Sequence, residues 1–281
     1  MEPIKLGVLG LDSTHFDAFY KIFLDNRSEL ILNYIQDNSE KVLKERLDKY
    51  PELRNCVCKS NLETCDAFMV LNRFADDHLD SLKKILNFKK PVFIDKPISD
   101  DLESTLKIIN LAKENQVPIT SHSPLEFCSE LKDIKKQFEN NKKNSIKSLV
   151  TLSGPIECND LGDDPRLKSP LFYGIHITEI LSLILGNNKY KTRSECLNER
   201  SSIFIESDSL RFIVDLYPNG AEFYNLSVYN ISEGWINYNI KLDGSYYSEF
   251  YRFLINFFRN KVETNYANKS LNAMKIINEV L

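Results

Sequence analysis

The feature that most constrains the fold is an alternation, over the first 120 residues, between short apolar runs and longer amphipathic stretches. Stretches of helix length separate runs of strand length at residues 4–10, 30–35, 66–71, 92–94 and 118–120. This alternation is typical of parallel strands whose connecting helices cover both faces of a sheet. The sequence therefore predicts an α/β fold that begins, over residues 1–123, with a Rossmann-like, doubly wound parallel sheet.

Beyond Pro124 the pattern changes. A charged helix is predicted at 125–140, a strand at 146–152, a loop over 154–170 and an apolar helix at 175–185. From Leu210 onward apolar and polar residues alternate, with a turn at 218–220 and two helices at 246–260 and 269–281. Period-two alternation indicates strands with one buried face. Residues 124–281 are therefore predicted to form an α+β domain with an open, mainly antiparallel sheet.

Composition restricts the class of protein further. A chain of 281 residues exceeds what one compact core usually holds, which agrees with two domains. A net charge of −4 argues against a nucleic-acid partner, and no apolar run is long enough to span a membrane. The six cysteines show no Cys-x-x-Cys pair, so they are interpreted as small core residues rather than a metal site. No leader pattern follows Met1, and we expect a cytoplasmic protein.

The turn after the first strand lies where a dinucleotide-binding fingerprint belongs, but most of its glycines are missing. Gly10 occupies the first glycine position, Asp12 the second and His15 the third. A carboxylate about 4 Å from a phosphate charge would cost roughly 4 kcal/mol at an effective dielectric constant near 20. Alternatively, Asp12, Ser13 or Thr14 caps the helix, so that the carboxylate turns onto backbone amides and the hydroxyls contact a phosphate. A capped turn that binds no nucleotide is the third interpretation.

Asp37 ends the second predicted strand. A carboxylate there can accept hydrogen bonds from a ribose 2′-hydroxyl and repels a 2′-phosphate, which favours NAD over NADP. The same residue can equally cap the helix that starts near Ser39.

The motif Asp95-Lys96-Pro97 places a lysine directly after a short buried strand. Ligands of parallel α/β sheets bind in the crevice beyond the carboxyl ends of the strands, so Lys96 is a candidate functional residue. The alternative is a lysine that leads a loop into solvent.

Together with Asp66–His78 and Tyr173-Gly174-Ile175-His176, these motifs resemble, in this order, one family of oxidoreductases. It is the Gfo/Idh/MocA family, typified by glucose-fructose oxidoreductase and inositol 2-dehydrogenase. The resemblance covers nearly the whole chain and implies a Rossmann domain followed by an open antiparallel sheet. It also implies a hydride transfer between NAD, or less often NADP, and a sugar, cyclitol or related polyol.

The resemblance assigns roles to individual residues. Lys96 would orient and polarise the substrate hydroxyl, and His176 would relay its proton, with a core histidine bonded to a carbonyl as the alternative. His122 and Tyr173 would contact the substrate as well. The implied cofactor-binding residues are Gly10, Asp12, Ser13, Thr14, Asp37, Asn72, His78, Asp95 and Pro97, although His78 could equally begin a helix.

Three departures from the family pattern leave a second function open. They are the glycine-poor turn, Phe172 where many members carry an aspartate, and the short chain. The alternative is a non-catalytic sensor or partner-binding relative, and a weaker one is another Rossmann enzyme with a different nucleotide or none. Loop residues 157–170 would decide specificity. The face of the second sheet beside Tyr224 and Tyr238 is predicted to join a homodimer or homotetramer.

Overall fold

The structure is a computed structural model that describes residues 2–57, 62–143, 148–155, 164–186, 189–197, 200–207, 210–217, 223–230, 234–241, 243–262 and 267–279. The chain divides into two compact units. The first comprises Met1–His122 and Phe250–Asn268, and the second comprises Ser123–Glu249 and Lys269–Leu281. The predicted turn at 218–220 and much of the predicted specificity loop lie outside the described residues.

The first unit contains a five-stranded parallel sheet, which confirms the predicted fold class. Its strands are β1 (Ile4–Leu9), β2 (Leu30–Gln36), β3 (Ala67–Val70), β4 (Val92–Ile94) and β5 (Ile119–Thr120), in the order β2-β1-β3-β4-β5. Every residue of β3 and β4 is buried, as expected for strands covered on both faces. The first four helices are α1 (Thr14–Asp25), α2 (Glu40–Lys49), α3 (His78–Ile85) and α4 (Leu102–Glu114).

Part of the C-terminal region belongs to the first unit. All of 124–281 was predicted to belong to the second domain, but Phe250–Asn268 groups with Met1–His122 in the unit of the five-stranded sheet. The ring of Phe250 lies 5.5 Å from the ring of Phe19 on α1 and 5.5 Å from that of Phe93 on β4, measured between centroids. An amphipathic pattern shows that a helix has an apolar face, but it does not show which core that face covers.

The second unit contains a six-stranded sheet in the order β11-β10-β6-β9-β8-β7. Among the described strands of this unit, β6 and β9 alone pair in parallel, which confirms an open, mainly antiparallel sheet. The strands are β6 (Ser148–Pro155), β7 (Lys191–Leu197), β8 (Arg200–Glu206), β9 (Leu210–Tyr217), β10 (Phe223–Asn230) and β11 (Gly234–Lys241). The remaining helices are α5 (Ser129–Lys143), α6 (Pro170–Leu185), α7 (Tyr247–Phe258) and α8 (Ala267–Ile277).

The sheet surface predicted for self-association differs from the one observed. Tyr224 is only 1% exposed and faces the core, and the Tyr238 hydroxyl accepts a hydrogen bond from Gln137. Where burial is described, the exposed large aromatic residues are instead Tyr229 and Trp235, which face each other across β10 and β11. The alternation of buried and more exposed residues along β10 was predicted correctly. However, the face that carries Tyr224 was predicted to contact another subunit, whereas Tyr224 is buried in the core. Self-association stays a prediction.

The cysteines and helices bear on the expected class of protein. Cys56, Cys65 and Cys128 are buried, as expected for core residues, whereas Cys196 is exposed. Cys56 ends a 3-10 turn, Pro51–Cys56. Within the described ranges, no helix combines the length and apolarity that a membrane crossing requires.

Candidate functional site

Gly10, at the end of β1, is the one position of the turn where glycine is required. Its φ is +88°, and a Cβ built there would lie 2.2 Å from the amide nitrogen of Asn72. Its own N–H donates to the carbonyl of Gln36 at 2.8 Å. A close approach between this turn and the loop after β3 therefore explains the glycine that the fingerprint retains.

Asp12 is turned onto a backbone amide, but this amide belongs to Arg73 after β3 rather than to the helix that the capping interpretation named. Its carboxylate accepts the N–H of Arg73 at 2.9 Å, and burial raises its pKa above the ordinary value. The helix cap itself is Ser13, whose hydroxyl oxygen accepts the N–H of His15. Thr14 is the exposed first residue of α1. The start of α1 is thus capped and accessible, and the carboxylate of Asp12 accepts a hydrogen bond from the loop after β3.

Asp37 connects the end of β2 to both neighbouring segments. One carboxylate oxygen accepts the N–H of Leu11 at 2.7 Å, and the other accepts the N–H of Ser39 at 2.8 Å. Ser39 is the cap of α2. Asp37 therefore holds the first turn in place, and its contact with a ribose stays a prediction.

Arg46 on α2 is a second residue that holds the turn in place, and it was not predicted from the sequence. Its Nε donates to the carbonyl of Leu11 at 2.6 Å, and its Nη1 donates to both carboxylate oxygens of Asp17 on α1, at 2.8 and 2.7 Å. Side chains therefore hold a turn whose usual glycines are absent. No sequence motif marks this arginine, because the contact depends on how α1 and α2 pack.

The ion pair between Arg46 and Asp17 makes the stability of this region depend on pH. Burial raises the pKa of Asp17, but hydrogen bonds from Lys49, Tyr50 and Arg46 outweigh it, and the pKa is lowered. A lowered pKa in the folded state contributes stability above the unfolded value, near 3.9, that is lost as the pH falls. We expect Asp17→Asn to cost about 2 kcal/mol at neutral pH and to flatten the loss of stability between about pH 5 and 3.

Urea denaturation at several pH values measures this difference, with the exposed Asp25→Asn as the matched control. Equal acid sensitivity of the wild type and the Asp17 variant would contradict the assignment.

Lys96, after β4, is half-buried, and its backbone is held by an acidic neighbour. One carboxylate oxygen of Asp95 accepts the N–H of Lys96 at 2.9 Å, and the other lies 2.7 Å from Nδ1 of His15. Burial alone would raise the pKa of Asp95, but the charge and hydrogen bond of His15, with the charge of Lys96, hold it below its ordinary value. The Lys96–Pro97 peptide is cis. His15, at the third glycine position, thus connects α1 to the lysine motif, a pairing that the sequence analysis missed.

Asn72 and His78 hold the loops at this edge of the sheet. The ring of His78 is 1% exposed and contacts the carbonyls of Asn72 (Nε2, 3.0 Å) and Ile98 (Nδ1, 3.3 Å). The Asn72 amide oxygen accepts the hydroxyl of Ser81 at 2.7 Å. His78 begins α3, which was the alternative expectation. Its described contacts support the loops, and its contact with a cofactor stays a prediction.

His122 follows β5 and is 1% exposed. Its ring packs edge-on against Phe253 of the same unit, with centroids 4.8 Å apart. The described surroundings are those of a core residue, and its predicted contact with substrate gains no support from them.

In the second unit, His176 lies on α6 with 6% exposure. Its Nδ1 is 2.5 Å from the hydroxyl oxygen of Ser123, so one of its partners is a buried hydroxyl. The N–H of Ser123 donates to the carboxylate of Glu179, one helical turn after His176. The sequence analysis missed Ser123 and Glu179, although a buried glutamate in an otherwise apolar helix is a visible signal.

Tyr173 and Phe172 precede His176 on the same helix. The ring of Tyr173 lies 6.0 Å from that of His176 and 5.4 Å from that of Phe172. The hydroxyl of Tyr224 donates to the carbonyl of Tyr173 at 3.4 Å. The structure therefore places the two predicted substrate residues of α6 side by side, with an aromatic ring where an aspartate was expected.

The predicted cofactor residues of the first unit come together at one edge of its sheet. The turn after β1 contacts Asp37 after β2, the loop Asn72–Arg73 after β3, and Asp95 after β4. Open α/β sheets bind their ligands beyond this edge. No cluster of three His, Cys, Asp or Glu side chains that could hold a metal ion occurs among the described residues.

The two sheets match the two-domain α/β fold of known dehydrogenases. The structure is similar to GenD2 from gentamicin A biosynthesis in complex with NAD, with a TM-score of 0.79, 11% identity, and coverage of 99% of this chain and 93% of that one. It is similar to the WlbA dehydrogenase from Thermus thermophilus in complex with NAD and UDP-GlcNAcA, with a TM-score of 0.72, 13% identity, and coverage of 98% and 93%.

A third similar structure is the dehydrogenase MviM from Clostridium difficile, with a TM-score of 0.71, 13% identity, and coverage of 99% and 98%. No protein-family model matches the chain, and no curated protein sequence matches it. At these identities the likeness establishes the fold.

Proposed function

We propose that this chain is an oxidoreductase that transfers a hydride between NAD and a hydroxyl or carbonyl of a sugar, cyclitol or related polyol. We also propose that it is a divergent member of the Gfo/Idh/MocA family. Two structural neighbours, GenD2 and WlbA, were solved with NAD, and WlbA also with UDP-GlcNAcA. The observation that carries the proposal is the exposed start of α1 beside an aspartate whose carboxylate is bonded elsewhere.

The residues of the first turn fit a dinucleotide. The N-terminus of a helix attracts a phosphate through its free N–H groups and its dipole, and α1 begins with Ser13 and the exposed Thr14. The carboxylate that would repel the phosphates is held by the amide of Arg73. Asp37, which retains partial exposure, would bind the ribose and disfavour NADP.

When bound, NAD supplies the hydride acceptor or donor, so the protein need only orient the substrate and handle one proton. We propose Lys96 and His176 as the residues that do so. Lys96 follows β4 with its backbone fixed by Asp95, and His176 is fixed by Ser123. The contact with Ser123 restricts the ring of His176, so this group would lose little freedom when the substrate binds, which favours catalysis.

The nucleotide is tested by isothermal titration with NADH and NADPH. We expect NADH to bind at least roughly tenfold more tightly than NADPH because of Asp37. We also expect Thr14→Glu to weaken NADH binding by at least about tenfold, because it adds a negative charge where the phosphates would lie. The same change should leave the thermal stability equal or higher, since an acidic residue suits the first turn of a helix.

Ser28→Glu is the matched control, because Ser28 is exposed in the same unit beyond the opposite end of α1. Equal effects of the two glutamates on NADH affinity would contradict phosphate binding at α1. If neither nucleotide binds at millimolar concentration, the proposal is wrong and the non-catalytic sensor becomes the better interpretation. A titration that succeeds would justify screening sugars, cyclitols and polyols for turnover.

A further inference from the structure

The buried hydroxyl of Ser123 has two polar neighbours. Its oxygen accepts the N–H of Leu125 at 3.2 Å, and it lies 2.5 Å from Nδ1 of His176. The side chain is completely buried. Among the residues that the structure describes, Nδ1 of His176 is therefore the one atom able to accept the hydrogen of this hydroxyl.

This arrangement determines where the proton of the imidazole lies. Buried hydroxyl groups donate their hydrogen when an acceptor is within reach, and the N–H of Leu125 can only donate. Nδ1 of His176 must then act as the acceptor, so the neutral ring carries its proton on Nε2. A proton on Nδ1 would instead leave the Ser123 hydroxyl hydrogen without an acceptor among the described residues.

Glu179 keeps the serine in place. Its carboxylate accepts the backbone N–H of Ser123, and it lies three residues after His176 on α6. Two side chains one turn apart thus hold Ser123 from the same helix face. Glu179 holds the backbone of Ser123, and His176 contacts its hydroxyl, so α6 contacts both the backbone and the side chain of the serine.

We propose that Ser123 is a positioning residue that holds His176 in the tautomer protonated on Nε2, so that His176 donates a hydrogen bond to the substrate oxygen rather than removing its proton. The role toward substrate rests on the proposed function. A ring protonated on Nε2 has no lone pair at that nitrogen to accept a proton. In alcohol oxidation the hydride would pass from carbon to NAD and the hydroxyl proton to the neutral amine of Lys96, which would become an ammonium, and reduction would reverse both transfers.

The tautomer is tested by NMR of protein labelled with ¹⁵N-histidine, without nucleotide and well above the usual imidazole pKa of about 6.5. The chain has only four histidines, so His176→Gln assigns the resonances. Couplings from the ring protons distinguish the two nitrogens. We expect His176 to carry its proton on Nε2, with Nδ1 shifted by the hydrogen bond that it accepts.

Two variants separate a positioning role from a merely structural one. Ser123→Ala should abolish the shift of Nδ1 and let the minor tautomer appear, whereas Ser123→Thr retains a hydroxyl and should resemble the wild type. A wild-type ring protonated on Nδ1, or an Nδ1 resonance unchanged by Ser123→Ala in a folded variant, would overturn the proposal. Circular dichroism establishes that each variant is folded.

The donor role is tested by kinetics once a substrate is found. Gln at position 176 can donate a hydrogen bond but cannot take up a proton, so we expect His176→Gln to retain at least about tenfold more turnover than His176→Leu. Equal loss in both variants would show that His176 is not a donor. If the nucleotide titrations fail while the tautomer is as expected, the proposed function is wrong and the positioning of the ring by Ser123 stands.

Discussion

Lys96→Ala is expected to reduce turnover by about a thousandfold while the affinity for NADH changes little. The reason is that the amine of Lys96 would take up the substrate proton in oxidation and the ammonium would polarise the substrate oxygen and return the proton in reduction, and the methyl group of alanine can do neither. The position favours such a role, because Lys96 directly follows a strand of which every residue is buried, and the carboxylate of Asp95 fixes its N–H. Steady-state kinetics and NADH titration measure the two quantities separately.

The matched control for this prediction is Lys113→Ala, which removes an exposed lysine from the last turn of α4 in the same unit. It should leave both quantities unchanged within about twofold. Lys96→Arg is a further variant, because arginine keeps the charge but cannot give up its proton. If Lys96→Ala retained full turnover on an identified substrate, Lys96 would have no catalytic role.

Gly10→Ala is expected to lower the free energy of unfolding by about 3–5 kcal/mol. Two costs add: a side chain is disfavoured at φ of +88°, and the new Cβ would lie 2.2 Å from the backbone of Asn72. Backbone cannot give way as a flexible side chain can, because the loop of Asn72 is itself held by His78. Urea denaturation followed by circular dichroism measures the change.

Gly244→Ala separates these two costs. Its φ is +79°, but the nearest atom to a Cβ there is 3.6 Å away, in the side chain of Tyr247. We expect it to lose only about 1–2 kcal/mol, the cost of the left-handed backbone. Similar losses in both variants would mean that the contact with Asn72 contributes nothing.

The strands predicted best are those whose apolar residues form a clear run or alternation in the sequence. Val92, Phe93 and Ile94 form a continuous apolar run, and Phe212 and Val214 alternate with half-exposed neighbours. β7 was missed, because its sequence of Lys, Thr, Arg, Ser and Glu has few apolar residues to mark a period. Its pairing with β8 depends on neighbours elsewhere in the sheet.

The residues of the candidate site also differ in whether a sequence pattern marks them. Gly10, Lys96 and His176 could be selected as candidates because each lies in a recognisable sequence motif with a residue type that suits a chemistry, and the roles of Lys96 and His176 stay predictions. Arg46 and Ser123 were not, because an arginine on a polar helix and a serine after a strand are common everywhere. Their roles arise from packing between distant segments, which local pattern does not contain.

The first unit is built from two separate segments of the chain, and this affects how it can fold during synthesis. A ribosome completes residues 1–122 long before it reaches 250–268, yet both segments belong to one core. Until Phe250 emerges, the rings of Phe19 and Phe93 lack the aromatic partner that covers them in the finished fold. Domains usually fold in the order of their synthesis. Here the first unit begins to be synthesised before the second but can be completed only after residues 250–268 have been added, so most of the second unit is made before the first can finish folding.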